Sequence, residues 1–169
     1  MNHSLGLKKY RALAFATALL IVPTGSYAGA KASHIEIGKS GFALCMSRFP
    51  ETRETTTAFK EAGWRFLGIL GSFRAYTNAK NRVIAATAVT NSREQGCFTA
   101  VHKMTEDEAL AFIEVFLADA KSVKQSEPTE RQSIKEWTAI FKGRKVRFAA
   151  SKSYNYRIMR GTSVQMITE

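Results

Sequence analysis

The fold is decided by residues 64–102, which read WRFLGILGSFRAYTNAKNRVIAATAVTNSREQGCFTAVH. Apolar, β-branched and aromatic runs alternate there with short connections that contain glycine or asparagine, a pattern typical of strands joined by turns. We predict strands at 64–70, 73–77, 83–90 and 97–102. Connections this short join antiparallel strands, so the segment predicts a four-stranded meander.

A helix is predicted on each side of this meander. Residues 105–108, Thr-Glu-Asp-Glu, form a capping box, in which the threonine accepts from a backbone N–H three residues on and the glutamate reaches back. Apolar residues recur behind it at helical spacing and predict a helix over 105–124. Upstream, Pro50 opens a second predicted helix that ends near Gly63. The small side chains of 83–90 leave room for a helix to pack closely on the sheet.

The C-terminal part of the chain is predicted to add strands. Residues 145–151 alternate between apolar and mainly basic side chains, which predicts a half-buried strand with a basic outer face. Residues 154–159 and 162–168 are predicted as two more strands, whereas 134–141 is compatible with a helix or a strand. The expected fold class is α+β, with an antiparallel sheet (the meander plus a C-terminal hairpin) packed against two main helices.

The N-terminus has the three zones of a secretory signal peptide. Three basic residues within 8–11 precede an apolar run at 12–22, and small residues then allow cleavage after Ala28 or after Ala30. The apolar run is too short for a membrane-spanning helix, which needs roughly 20 residues. We therefore predict that 1–30 is a cleavable Sec-type signal, and that the protein reaches a bacterial periplasm or the medium beyond it. The residues directly behind the signal are predicted as an irregular lead-in as far as Gly41.

The positive charge is spread unevenly over the exported part, 31–169, which we predict to be a single domain. That part holds 22 basic and 14 acidic residues, a net charge of +8. Residues 131–169 hold nine basic and two acidic residues, whereas 31–130 is nearly neutral with 13 and 12. A concentrated positive charge attracts polyanions and anionic membrane surfaces. The alternative is that the lysines and arginines serve only solubility.

Cys45 and Cys97 are expected to form one disulfide. An even number of cysteines in an exported chain favours pairing. Closing a separation of 52 residues would stabilise the fold by roughly 4 kcal/mol in the chain-entropy model. The alternative, a catalytic thiol, would need a base nearby and protection from oxidation.

The candidate binding residues lie in the segment 142–160. A basic sheet face that carries aromatic side chains can contact phosphate backbones and stack on bases or sugars, and arginine can hold phosphate or carboxylate in two-pronged contacts. The candidates are Lys142, Arg144, Lys145, Arg147, Lys152, Arg157, Arg160, Tyr154 and Tyr156. The expected partner is an anionic surface or polymer: a polysaccharide, a lipid headgroup, a nucleic acid or an acidic protein.

No motif of high specificity for catalysis, cofactors or metals is present, so we predict no catalytic residues, no cofactor and no metal site. The two histidines of the exported part are His34 and His102. His102 with basic neighbours would suit acid–base cleavage of a phosphodiester, and a small secreted hydrolase is therefore the alternative function. A further alternative is a structural subunit of a periplasmic complex, in which the charge is incidental.

Overall fold

A single antiparallel sheet carries the described part of the molecule. The computed structural model describes residues 33–89, 95–156 and 159–169, without the side chains of 153–159. Eight strands lie within these residues: β1 (Arg65–Leu70), β2 (Phe73–Asn78), β3 (Val83–Ala88), β4 (Gly96–Val101), β5 (Lys121–Ser126), β6 (Ser133–Phe141), β7 (Arg144–Tyr156) and β8 (Met159–Thr168). Their order across the sheet is β1-β2-β3-β4-β8-β7-β6-β5. The predicted fold class, α+β with an antiparallel sheet, is confirmed.

The predicted meander occupies one half of this sheet, because β1 to β4 are neighbours in chain order. The last strand, β8, then pairs with β4, so that Thr99 lies opposite Val164. The C-terminal hairpin of β7 and β8 therefore fills the centre of the sheet and not an edge. Residues 133–141, which include the segment compatible with helix or strand, form β6.

The helices within the described residues are α1 (His34–Arg48), α2 (Thr52–Glu61) and α3 (Glu106–Leu117). The two main helices predicted from the sequence are α2 and α3. The prediction of an irregular lead-in as far as Gly41 was wrong, because α1 begins at His34. Its start is capped by the Ser33 hydroxyl, which accepts from the Glu36 backbone N–H at 3.2 Å, and contact with the sheet outweighs the low helix propensity of its glycines.

Helix α1 packs closely on β3 and β4. A Cβ atom at Gly41 would lie 2.8 Å from the Cβ of Ala85 and 2.6 Å from the Trp64 ring. Phe42, the next residue, is fully buried and meets the ring of Phe116 at 4.9 Å between centroids. The close helix packing expected from the small side chains of 83–90 is thus confirmed, with glycine on the helix as its counterpart.

Helix α3 ends earlier than predicted. The apolar spacing continued to Val123, but the helix stops at Leu117 and Lys121–Ser126 forms the edge strand β5. Val123 is 38% exposed instead of lying in the core. Backbone pairing of β5 with β6 satisfies the hydrogen bonds of this segment, so tertiary pairing overrides the local helical pattern.

The predicted capping box is present at the start of α3. Thr105 Oγ1 accepts from the Glu108 backbone N–H at 3.2 Å, and Glu108 Oε2 accepts from the Thr105 backbone N–H at 2.8 Å. We expect Thr105→Ala to lower the free energy of unfolding by about 1 kcal/mol, because the Glu108 backbone N–H loses its acceptor, the Thr105 hydroxyl. Urea denaturation measures the loss, and Thr57→Ala on the exposed face of α2 is the control. Equal losses in both variants would show that the box contributes nothing specific.

The disulfide between Cys45 and Cys97 is confirmed, with 5.8 Å between the Cα atoms. It joins α1 to β4, and both cysteines are buried. The bond therefore ties the first helix to the centre of the sheet. Among residues 33–89, 95–156 and 159–169, no helix is long and apolar enough to cross a membrane. The predicted signal peptide, residues 1–30, lies outside the described residues.

Candidate functional site

The C-terminal candidate residues lie near both ends of strand β7. Three are at the turn between β6 and β7: Lys142, Arg144 and Lys145. Lys152 lies seven residues beyond Lys145, which is roughly 23 Å along an extended strand. Arg160 follows on β8, opposite Asn155. Arg157 and the side chains of Tyr154 and Tyr156 lie outside the described residues. The candidates that can be placed are therefore spread along strand β7 and onto β8.

Several of these candidates are held by oppositely charged or polar groups. Lys145 forms an ion pair with Glu169, and Lys152 Nζ lies 3.6 Å from a carboxylate oxygen of Glu106. Lys142 Nζ donates to two backbone carbonyls at the C-terminal end of α1, at 2.6 and 3.1 Å. Lysine at this place complements the negative end of the helix dipole. These contacts reduce the positive charge that the segment offers to a partner.

Arg147 belongs to a partly buried network. Its guanidinium lies 3.2 Å from the carboxylate of Glu136 and 3.0 Å from that of Glu130, and donates to Thr129 Oγ1 at 2.7 Å. Glu136 is fully buried. Burial alone raises the pKa of Glu136, but polar contacts from Ser133, Thr129 and Arg147 outweigh it and lower the pKa from 4.5 to about 2. The first role of Arg147 is therefore to neutralise a buried carboxylate.

A second group of basic side chains lies at the end of the sheet where β2 turns into β3. We call it the cationic end, and it comprises His34, Lys80, Arg82, His102, Lys103 and Arg160. Backbone hydrogen bonds bring its segments together: the His102 N–H donates to the Arg82 carbonyl at 2.8 Å, and the Lys103 N–H donates to the Arg160 carbonyl at 2.7 Å. Arg160 is the one placed C-terminal candidate that belongs to this group.

A cleft of about 860 Å³ opens at the cationic end, between the start of α1 and the turn that follows β2. Its size falls in the range of small-molecule sites. The residues that line it are Ser33, His34, Ile37, Asn78, Ala79, Lys80 and Arg82. Its walls thus combine positive side chains with the apolar surface of Ile37 and Ala79.

The turn that borders the cleft has an unusual backbone. Ala79, Lys80 and Asn81 have φ angles of 48°, 54° and 65°, three consecutive residues other than glycine in the left-handed region. The Asn78 side chain accepts from the Ala79 N–H at 2.6 Å, and the Arg65 guanidinium donates to the Asn81 side chain at 2.7 Å. We call this segment the left-handed turn. Such strain persists only where surrounding contacts hold it, and it is concentrated at functional sites.

The charge at the cationic end is not balanced by acids within the described residues. There, Lys80, Arg82 and Lys103 are exposed and form no ion pair within 4.0 Å. Burial lowers the pKa of His102 below 6.5, and the positive charges of Arg82, Lys103 and His34 lower it further. No carboxylate in the described part is among the charges that determine this pKa. The field at His102 is therefore positive.

The geometry of His102 bears on the hydrolase alternative. Its Nδ1 accepts from the backbone N–H of Arg160 at 3.4 Å, a long hydrogen bond. With Nδ1 as acceptor, the neutral imidazole carries its proton on Nε2. Nε2 is a hydrogen-bond donor in this tautomer. This donor and the positive charges around it suit contact with an anion.

No protein-family model, curated protein or solved structure that was compared with this chain matches it. No group of three or more metal-ligating side chains lies within the described residues. Reasoning from the sequence missed Lys80, Arg82 and Lys103, because each is a single cation in a short connection. The sequence Asn-Ala-Lys-Asn at 78–81 predicted a turn between two strands, but nothing in it indicated a binding site.

Proposed function

We propose that this protein is exported and binds an anionic partner without catalysis, and that the cationic end makes the principal contact. The observation that carries the proposal is the group of exposed cations, Lys80, Arg82 and Lys103, with no carboxylate within 4.0 Å in the described structure. Exposed charges of one sign beside a concave surface raise the local concentration of an oppositely charged ligand.

Two features support export. The N-terminal sequence carries the pattern of a secretory signal peptide. The Cys45–Cys97 disulfide is of a kind that persists in oxidising compartments and is rare in reducing ones. A bacterial periplasm, or the medium beyond it, is the destination that we propose.

The candidates of the C-terminal segment remain a competing contact surface. Arg144 is exposed and has no ion pair within the described residues. Lys145 forms an ion pair with Glu169. Arg160 links this segment to the cationic end through the Lys103 backbone. A long polyanion would contact both regions, so charge reversal in each region has to be compared.

Retention on a heparin column tests which surface binds. We expect Lys80→Glu/Arg82→Glu/Lys103→Glu to elute at a much lower salt concentration than the unmodified protein, because affinity for a polyanion and its salt dependence increase with the number of cations engaged. Lys60→Glu/Lys121→Glu/Lys124→Glu, on exposed positions of α2 and β5, carries the same change of charge. That control variant is expected to elute much closer to the unmodified protein.

A third variant, Lys142→Glu/Arg144→Glu/Lys145→Glu, tests the C-terminal turn with the same change of charge. If this variant loses the most retention, the principal contact is the C-terminal segment and the proposal is wrong. If all three variants elute together, retention reflects net charge only, which also contradicts the proposal. Far-UV circular dichroism confirms that each variant is folded before it is compared.

A further inference from the structure

The cationic end has features that identify a ligand class, and this step rests on the anion binding proposed above. We infer that the cleft between α1 and the left-handed turn binds a phosphomonoester attached to an apolar group. Lys80 and Arg82 would contact the phosphate, while Ile37 and Ala79 contact the apolar group; His102 lies next to Arg82, to whose carbonyl its backbone N–H donates. Lys103, beside them, would add long-range attraction.

The number of cations favours phosphate over a carboxylate. A phosphomonoester carries a charge of about −1.5 to −2 at neutral pH and three strong acceptor oxygens. Arginine matches two of these oxygens with parallel N–H donors, and lysine adds a compact charge. A single carboxylate would leave much of the positive charge of Lys80, Arg82 and Lys103 without a counter-charge.

The shape of the site favours a small molecule over a polymer that lies on a flat surface. The cleft is concave, and the partly buried Ile37 lies in its wall among the charged groups. Small-molecule sites typically combine apolar walls with a few polar groups that fix orientation. A purely ionic polymer would gain little binding free energy from contact with the apolar side chains of Ile37 and Ala79.

The left-handed turn gives a second, independent reason to expect a ligand. Ala79, Lys80 and Asn81 all lie in the lining of the cleft or of a smaller cavity of about 240 Å³ on the Arg65 side. Each such residue in the left-handed region costs about 1–3 kcal/mol relative to a relaxed turn. A glycine would remove the cost, and the sequence has none between Ser72 and Val89. The strained backbone holds Lys80 at the border of the cleft.

His102 supplies the spectroscopic signature of this site. The charged groups that face it are Arg82 from the β2–β3 connection, His34 from α1, and its chain neighbour Lys103, and its ring contacts the Arg160 backbone. Burial and these cations lower the pKa of His102 in the free protein. A bound phosphate offsets their charge, so the pKa of His102 rises when the ligand binds and the site takes up protons on binding.

Titrations followed by ¹H–¹⁵N NMR on protein purified from an exporting host test the inference. The probes are phenyl phosphate, inorganic phosphate and benzoate. We expect phenyl phosphate to bind about tenfold more tightly than benzoate, since a phosphomonoester carries more negative charge than a carboxylate and has three acceptor oxygens. Inorganic phosphate, which lacks the apolar group, is expected to fall between them. Amide shifts should centre on 78–82 and 102–103, and the His102 titration midpoint should rise.

The variants separate this inference from the proposed function. Arg82→Ala should weaken phenyl phosphate binding by about tenfold, whereas Arg144→Ala should leave it unchanged. If phenyl phosphate binds no better than benzoate, or shifts amides elsewhere, the inference fails. Heparin retention that still depends on Lys80, Arg82 and Lys103 would then leave the proposed function standing.

A last comparison identifies the source of the phosphate. Monomeric dihexanoyl phosphatidate carries the same phosphomonoester on a lipid headgroup. Tighter binding of this probe than of phenyl phosphate supports a lipid source, and weaker binding supports a soluble phosphorylated compound. If neither binds at the cleft, the inference is overturned for both sources.

Discussion

Replacing Arg147 by methionine is expected to lower the free energy of unfolding by about 3–5 kcal/mol, because it leaves a buried carboxylate without its counter-charge. Glu136 has no exposed surface, and the Arg147 guanidinium lies 3.2 Å from it. The apolar part of methionine replaces the stem of the arginine, so loss of packing is small. Urea denaturation at pH 7 measures the effect.

The matched control removes both charges. Glu136→Met/Arg147→Met leaves no buried ion unpaired, and replacing a buried pair by apolar residues is often close to neutral. We therefore expect the double variant to be markedly more stable than Arg147→Met alone. If the double variant is no more stable than the single one, packing and not the unpaired charge accounts for the loss.

The network of Arg147 and Glu136 also makes the free energy of unfolding depend on pH. The pKa of Glu136 is lowered from 4.5 to about 2 in the folded protein. The contribution of the Glu136 carboxylate to the free energy of unfolding is therefore complete above the pKa that it has in the unfolded chain, and it is lost as pH falls toward 2. A tenfold change in an acid dissociation constant is worth about 1.4 kcal/mol, so the expected loss is about 3 kcal/mol. Glu136→Gln should lack this part of the acid sensitivity. An unchanged dependence on pH in that variant would show that other carboxylates control acid unfolding.

Removing the disulfide has the second large expected effect. Cys45→Ala/Cys97→Ala should lower the free energy of unfolding by about 4 kcal/mol, because the unfolded chain regains the entropy of a loop closed over 52 residues. Denaturation of the oxidised and the reduced protein gives the comparison. Reduction of the unmodified protein should produce the same loss as the double variant.

The control for the disulfide effect is treatment of the double variant with reductant, which should leave its free energy of unfolding unchanged. Because α1 packs on β3 and β4 through many buried groups, including Phe42 and Gly41, the variant should still fold. A loss below about 1 kcal/mol would mean that the unfolded state already holds α1 near β4, so that the crosslink removes little entropy.

Several elements followed from local chemistry alone. The alternation within 64–102 predicted the meander correctly, the capping box predicted the start of α3, and the two cysteines paired as expected. Local chemistry was insufficient where tertiary contacts dominate. The glycine-containing segment 34–41 is part of helix α1, which packs on the sheet. The segment 121–126, predicted as the end of a helix, is instead strand β5, which pairs with β6.

By itself, the sequence determined the type of most elements, the fold class and the amount of positive charge, because these depend on residue type and on spacing over a few positions. Only the tertiary structure decided which charges meet. His34 and Arg160 lie 126 residues apart in the chain and belong to the same end of the sheet because β8 pairs with β4. Hydrophobic patterning specifies which face of a strand is buried, but not which strand becomes its neighbour.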